Sequence, residues 1–141
     1  MSKVAVVYFS STGNTQMMAD AVADGVRGAG GEADVIDCTA FSAGDVANYD
    51  AFAFGCPAMG AEQLDEGSFE PMFSSVESML NGKKVGLFGS YGWGVGEWMQ
   101  TWADRVRADG ANLVNDGVIA NYAPDAEATS ACNDLGASLA A

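Results

Sequence analysis

From Lys3 to Phe9 the chain is apolar at almost every position and rich in valine, the pattern of a strand covered on both faces. The period then changes. Between Gln16 and Val26, Met17, Met18, Ala21, Val22 and Val26 recur at helical spacing, and Gly28, Gly30 and Gly31 close the helix. Ala33 to Asp37 predicts a short second strand, and Asp50 to Gly55 a third. Ser68 to Leu80 predicts a helix capped by Ser68, with Pro71 in its first turn. Lys83 to Gly89 is the fourth strand. Glu97 to Ala108 places Trp98, Met99, Trp102 and Val106 on one helical face, which marks both tryptophans as core residues. Asn112 to Ile119 supplies a fifth strand, broken at Asp116-Gly117, and Pro124 to Leu139 a last helix. Strands alternating with helices imply a parallel sheet between two helical layers. In such sheets ligands collect at the carboxyl ends of the strands, near the point where strand order reverses. The loops after strands one, three and four are therefore where chemistry is expected.

Composition narrows that chemistry. At 141 residues and 49% hydrophobic the chain suits one compact domain, read as spanning 1–141, without internal repeat or low-complexity linker. Nothing approaches the roughly 18 apolar residues of a membrane span, and the N-terminal apolar run is too short for a signal peptide. A cytoplasmic protein is expected. There is no histidine, which removes the commonest general base and every Ser-His-Asp or Cys-His arrangement. Cys38, Cys56 and Cys132 are odd in number and scattered, so they read as small buried hydrophobes rather than as a disulfide or metal set. Any redox chemistry must then reside in something the protein binds. The net charge of −13, from 19 acids and 6 bases, repels nucleic acid and anionic membranes and favours basic partners.

Two kinds of loop stand out. Ser10-Ser11-Thr12-Gly13-Asn14-Thr15 puts four hydroxyls, an amide and a glycine between a buried strand and a helix start. The free N–H groups and dipole of that helix favour an anion there. A Walker A loop would carry lysine where Asn14 stands, so the cradle suits a terminal monophosphate that needs no catalytic polarisation. Pro57-Ala58-Met59-Gly60-Ala61-Glu62 offers a polarisable thioether beside a tight turn. Ser90-Tyr91-Gly92-Trp93-Gly94-Val95-Gly96 displays an indole between glycines, whose N–H groups can approach a ligand. A Met and a Trp at the same strand ends form a slot for a flat heterocycle.

Taken in order, these segments, with Gly55-Cys56 before the second and Leu87-Phe88-Gly89 before the third, resemble the short-chain flavodoxins of the clostridial type. The resemblance runs from the first strand to the last helix, with no large insertion in strand five. It implies a three-layer, doubly wound, five-stranded parallel sheet of order 2-1-3-4-5. It also implies FMN as cofactor, its phosphate held by Ser10 to Thr15 and its ring between Met59 and Trp93. Gly60 would present its carbonyl to flavin N5–H, Glu62 would accept from N3–H, and N–H groups around Gly92 and Gly94 would meet the pyrimidine edge. Pro57, Ala58, Ala61, Ser90 and Tyr91 complete the expected lining, and Asn121 lies near the benzenoid edge in the loop before the last helix. The function implied is low-potential one-electron transfer between redox proteins, the flavin cycling between semiquinone and hydroquinone. No catalytic residue or metal is implied.

Glu62, Asp65, Glu66 and Glu70 are expected to border the exposed flavin edge and to dock a basic reductase or acceptor, the carrier itself being monomeric. The chain departs from the family pattern at Ala61, which calls for positive φ at Gly60, and at Val95, where a charged residue is common. An NAD(P)H–quinone reductase of the same fold would need a dinucleotide site, and no cluster of the few basic residues suggests one. A response-regulator domain would need acids after strand one and an aspartate ending strand three, where the chain has Ser10-Ser11 and Gly55-Cys56.

Overall fold

The computed structural model describes residues 2–59, 62–92 and 94–141. In chain order the elements are β1 (Lys3–Tyr8), α1 (Asn14–Gly28), β2 (Glu32–Asp37), β3 (Ala51–Gly55), α2 (Phe69–Val76), β4 (Lys84–Tyr91), α3 (Glu97–Ala108), β5 (Asn112–Leu113), β6 (Val118–Asn121) and α4 (Ala126–Ala140). All ladders between these strands are parallel, and the order is β2-β1-β3-β4-β5 with β6 also on β4. The reversal expected of a doubly wound sheet falls between β1 and β3.

The fifth position is divided more deeply than the Asp116-Gly117 pair suggests. β5 covers only Lys84 and Val85, and β6 resumes at Phe88, so Leu87 faces the gap. There the Asn115 side chain stands in for a peptide: its Oδ1 accepts from Leu87 N–H and its Nδ2 donates to Leu87 C=O, both at 3.3 Å. Other boundaries also move. α2 passes into a 3-10 turn at Glu77–Met79, and its N-terminal N–H groups are met by Asp65 rather than Ser68. Asp65 Oδ2 accepts from Ser68 N–H (2.7 Å) and Phe69 N–H (2.9 Å), a charge-assisted cap that a serine hydroxyl cannot match.

Strand periodicity sorts the core into two faces. β3 reads Ala-Phe-Ala-Phe: Phe52 and Phe54 point toward α2 and α3, Ala51 and Ala53 toward α1 and α4. On the first side Phe41, Phe69, Phe73, Trp98 and Trp102 join the two β3 rings, as helical spacing predicts for both tryptophans. On the second, valines of β1 meet Met18, Val22 and Val26 of α1 and Cys132, Leu135 and Leu139 of α4. All three cysteines are free and buried. Burial raises the Cys38 thiol to about 11 and the Cys132 thiol to about 12, and raises Cys56 further, so none is a ready thiolate.

Candidate functional site

The carboxyl ends of β1, β3, β4 and β6 converge. After β1, Phe9 N–H donates to Gly55 C=O at 2.9 Å, which keeps the chain beside β3 as the polar loop begins. Its side chains divide the work. Ser10 Oγ turns inward and accepts from Gly13 N–H (3.0 Å) and Gln16 N–H (3.3 Å). Thr15 is buried and accepts from Ser90 N–H at 3.3 Å, tying α1 to β4. Gly13, at φ +94°, lets the chain turn into the helix. Ser11, Thr12 and Asn14 remain to face the slot. The backbone N–H groups of Thr12, Asn14 and Thr15 meet no acceptor among the described residues. That arrangement suits a phosphate.

The second loop is held at both ends. Ala58 N–H donates to Ser90 C=O at 3.0 Å, and Met59 and Gln63 exchange two backbone bonds of 2.8 and 3.0 Å. Gly60 and Ala61, and with them the expected carbonyl presentation and positive φ, lie outside the described residues, as does Trp93. Glu62 takes a left-handed conformation (φ +51°) and sends its carboxylate across to the next loop. Oε1 accepts from the N–H groups of Val95, Gly96 and Glu97 at 3.1, 3.0 and 3.1 Å, the N-terminus of α3. A Cβ on Gly94 would sit 2.7 Å from Glu62 Cδ and Oε1, at φ +95°, so this position requires glycine. Three donors on one oxygen hold the carboxylate in place.

The slot so formed encloses about 160 Å³ and is lined by Ser11, Thr12, Asn14, Pro57, Ala58, Met59, Ser90, Tyr91, Gly92 and Tyr122. Sequence reasoning missed Tyr122. Asn121, expected in a loop, is instead the last residue of β6, and its Nδ2 donates to Tyr91 C=O (3.3 Å) and Gly92 C=O (3.4 Å). It braces the β4 loop. A larger groove, about 420 Å³ beside α3, contains no residue of the β1 and β3 loops, and its one cation, Arg107, is engaged by Asp104 and Asp116. The expected acidic rim also changes character. Asp65 caps α2, Glu62 caps α3, and Glu70 is paired with Arg105, which holds its carboxyl below the usual range. Among the described residues Glu66 accepts from the Gln63 side chain alone, at 2.7 Å.

Fold and slot together describe a doubly wound α/β protein with a slot suited to an anion at the switch point of its sheet. The sequence profile of the flavodoxin family matches residues 6–136. Flavodoxin from Megasphaera elsdenii is 42% identical over 137 residues, 97% of this chain and 98% of that one. Flavodoxin from Clostridium beijerinckii is 38% identical over 135 residues, 96% and 97% of the two chains. The solution structure of two-electron reduced Megasphaera elsdenii flavodoxin superposes with a TM-score of 0.88 at 41% identity, covering 96% of this chain and 98% of the other. The chain belongs to the flavodoxin family. It is an FMN-binding electron carrier that serves redox partners, and it is not an enzyme with a substrate of its own. The residues present fit that cofactor: free N–H groups and hydroxyls stand at the helix end, and apolar Pro57, Ala58 and Met59 stand beside them. No described helix is long and apolar enough to cross a membrane.

Proposed function

We propose that the chain, as one FMN-binding domain, carries single electrons at low potential, with the phosphate in the Ser11, Thr12 and Asn14 cradle and the ring edge at Glu62. FMN supplies the redox couple, and the protein's part is binding, orientation and electrostatics. The hydroxyls of Ser11 and Thr12, the Asn14 amide and the N–H groups that open α1 hold the phosphate without a cation. Pro57, Ala58 and Met59 exclude water from one side of the ring and give it a polarisable contact. The single observation that carries this reading is the anion cradle: the N–H groups of Thr12, Asn14 and Thr15 meet no acceptor among the described residues and stand beside the slot-facing Ser11, Thr12 and Asn14. Glu62 is not among the residues lining the slot; its Oε1 accepts from three N–H groups that open α3, which fixes the carboxylate beside the β4 loop, at the proposed ring edge. A fixed carboxylate at that edge, in a protein of net charge −13, opposes added electron density on the ring and lowers the potential.

The same charge opposes self-association and steers a basic partner, so the carrier works as a monomer whose association rate falls as salt rises. Asp65 and Glu70 contribute to that field while held in place by their own bonds, and Glu66 and Glu97 are exposed. Three free cysteines suit a reducing cytoplasm. The test is an anaerobic reductive titration of the FMN-loaded protein. A one-electron-reduced state accumulating midway supports the carrier; bleaching in a single two-electron stage, or no FMN bound, overturns it. Glu62→Gln should raise the potential of the second electron by tens of millivolts, since about 59 mV corresponds to 1.4 kcal/mol for one electron.

A further inference from the structure

Tyr122 combines features that are costly unless something uses them. It adopts a left-handed backbone (φ +60°), which a bulky L-residue rarely does, and it leaves 61% of its surface exposed. The conformation is imposed by neighbours. Tyr122 N–H donates to Tyr91 C=O at 2.8 Å, and Ser90 Oγ donates to Tyr122 C=O at 2.6 Å. Ser90 in turn gives its N–H to Thr15 Oγ1. Thr15 and Ser90 are the buried polar side chains among the described residues, and both belong to this relay from the phosphate loop to Tyr122. The ring ends beside Gly92: a Cβ built there would lie 3.2 Å from Tyr122 Cε1 and 3.7 Å from its hydroxyl. It thus lines the same slot as Thr12, Asn14 and Met59.

We infer that Tyr122 is an FMN-contacting wall, its ring packed against the bound cofactor rather than left to solvent. The inference rests on the FMN reading above and adds a residue to it. Backbone strain at an exposed aromatic is then explained: β6 ends in a turn that aims the ring across the slot mouth, and bound cofactor covers it. Cover of this kind is worth a few-fold in affinity.

The test compares the wild type with Tyr122→Ala and Tyr122→Gly as apoproteins titrated with FMN. Both variants should weaken FMN by ~3- to 10-fold, the range an aromatic contact supplies. Tyr122→Gly should at the same time raise the melting temperature of the apoprotein, because glycine accepts positive φ without strain. Opposite signs in the one variant separate ligand contact from a structural role. In the wild type, nitration by tetranitromethane should modify Tyr122 in the apoprotein, and saturating FMN should protect it, with Tyr49 as internal control. Unchanged affinity in Tyr122→Ala, unprotected nitration, or a Tyr122→Gly apoprotein that is both less stable and weaker in binding overturns the inference. Failure of the wild type to bind FMN would instead overturn the underlying reading.

Discussion

The two faces of the sheet achieve burial by opposite means. Toward α2 and α3 the volume is filled by rings: Phe73 meets Phe54 edge-on at 5.2 Å and Trp102 at 5.7 Å, and Phe69 meets Trp102 at 5.3 Å. Such edge-to-face contacts each add about 0.5–1.5 kcal/mol beyond area burial. Toward α1 and α4 the helices come so close that backbone packs on backbone. A Cβ on Gly25 would lie 2.0 Å from Asn133 O, and one on Gly136 would lie 2.0 Å from Val22 O. Both glycines sit inside helices, where each costs about 1 kcal/mol relative to alanine. The close approach offsets that cost. One face is therefore sensitive to lost volume and the other to added volume.

That contrast can be broken from either side. Phe73→Ala should cost the most, about 4 kcal/mol, because three rings and the Arg105 guanidinium cannot collapse together into the void. A urea midpoint measurement reads it, and a loss under about 2 kcal/mol would mean the aromatic face repacks. Gly136→Ala removes nothing and adds one methyl, yet should cost about 3 kcal/mol by forcing α1 and α4 apart. Stabilisation instead, as propensity alone demands, would show that the helices slide freely.

Smaller effects come from the ionic cover over the aromatic face. Arg105 makes paired bonds of 2.7 Å to Glu70 and of 2.8 Å to Glu77, and its guanidinium lies 5.0 Å from the Phe73 ring centre. Arg105→Met leaves two carboxylates facing each other and should cost about 2 kcal/mol at neutral pH, less than a fully buried pair because all three groups keep some solvent. Both carboxyls are held below their usual range, chiefly by hydrogen bonds from Arg105. Their stabilisation is present above the unfolded carboxylate range and is lost as pH falls through the depressed values. Thermal melts of wild type and variant should therefore converge in acid.

Asp109 runs the other way. Burial, and then Glu77 beside it, raises its carboxyl to about 6. Between the unfolded value of about 3.9 and that point the folded state holds a proton the unfolded state has lost, so stability falls as pH rises. Asp109→Asn should gain stability above pH ~6, by less than ~1 kcal/mol for a partly exposed group, and the gain should fade below pH ~4. Melting curves across that range check the sign.

Much of this was readable in the residues. The alternation Ala51-Phe52-Ala53-Phe54 already separates the two faces, and the spacing of Trp98 and Trp102 already buries them, because period alone decides which side chains share a surface. The loop after β1 was legible as a hydroxyl-rich turn into a helix start, since that depends only on local residues. Tertiary contact decided the rest. Thr15 is drawn inward by Ser90, 75 positions away, and Glu62 is drawn to N–H groups more than 30 positions on. Asp65 caps α2 where Ser68 was expected, because its charge is the stronger acceptor and the loop folds back to deliver it. Tyr122 carries no sequence mark of its left-handed turn, for it is neither glycine nor asparagine. Its conformation follows from two hydrogen bonds to β4, which exist only once the sheet has assembled.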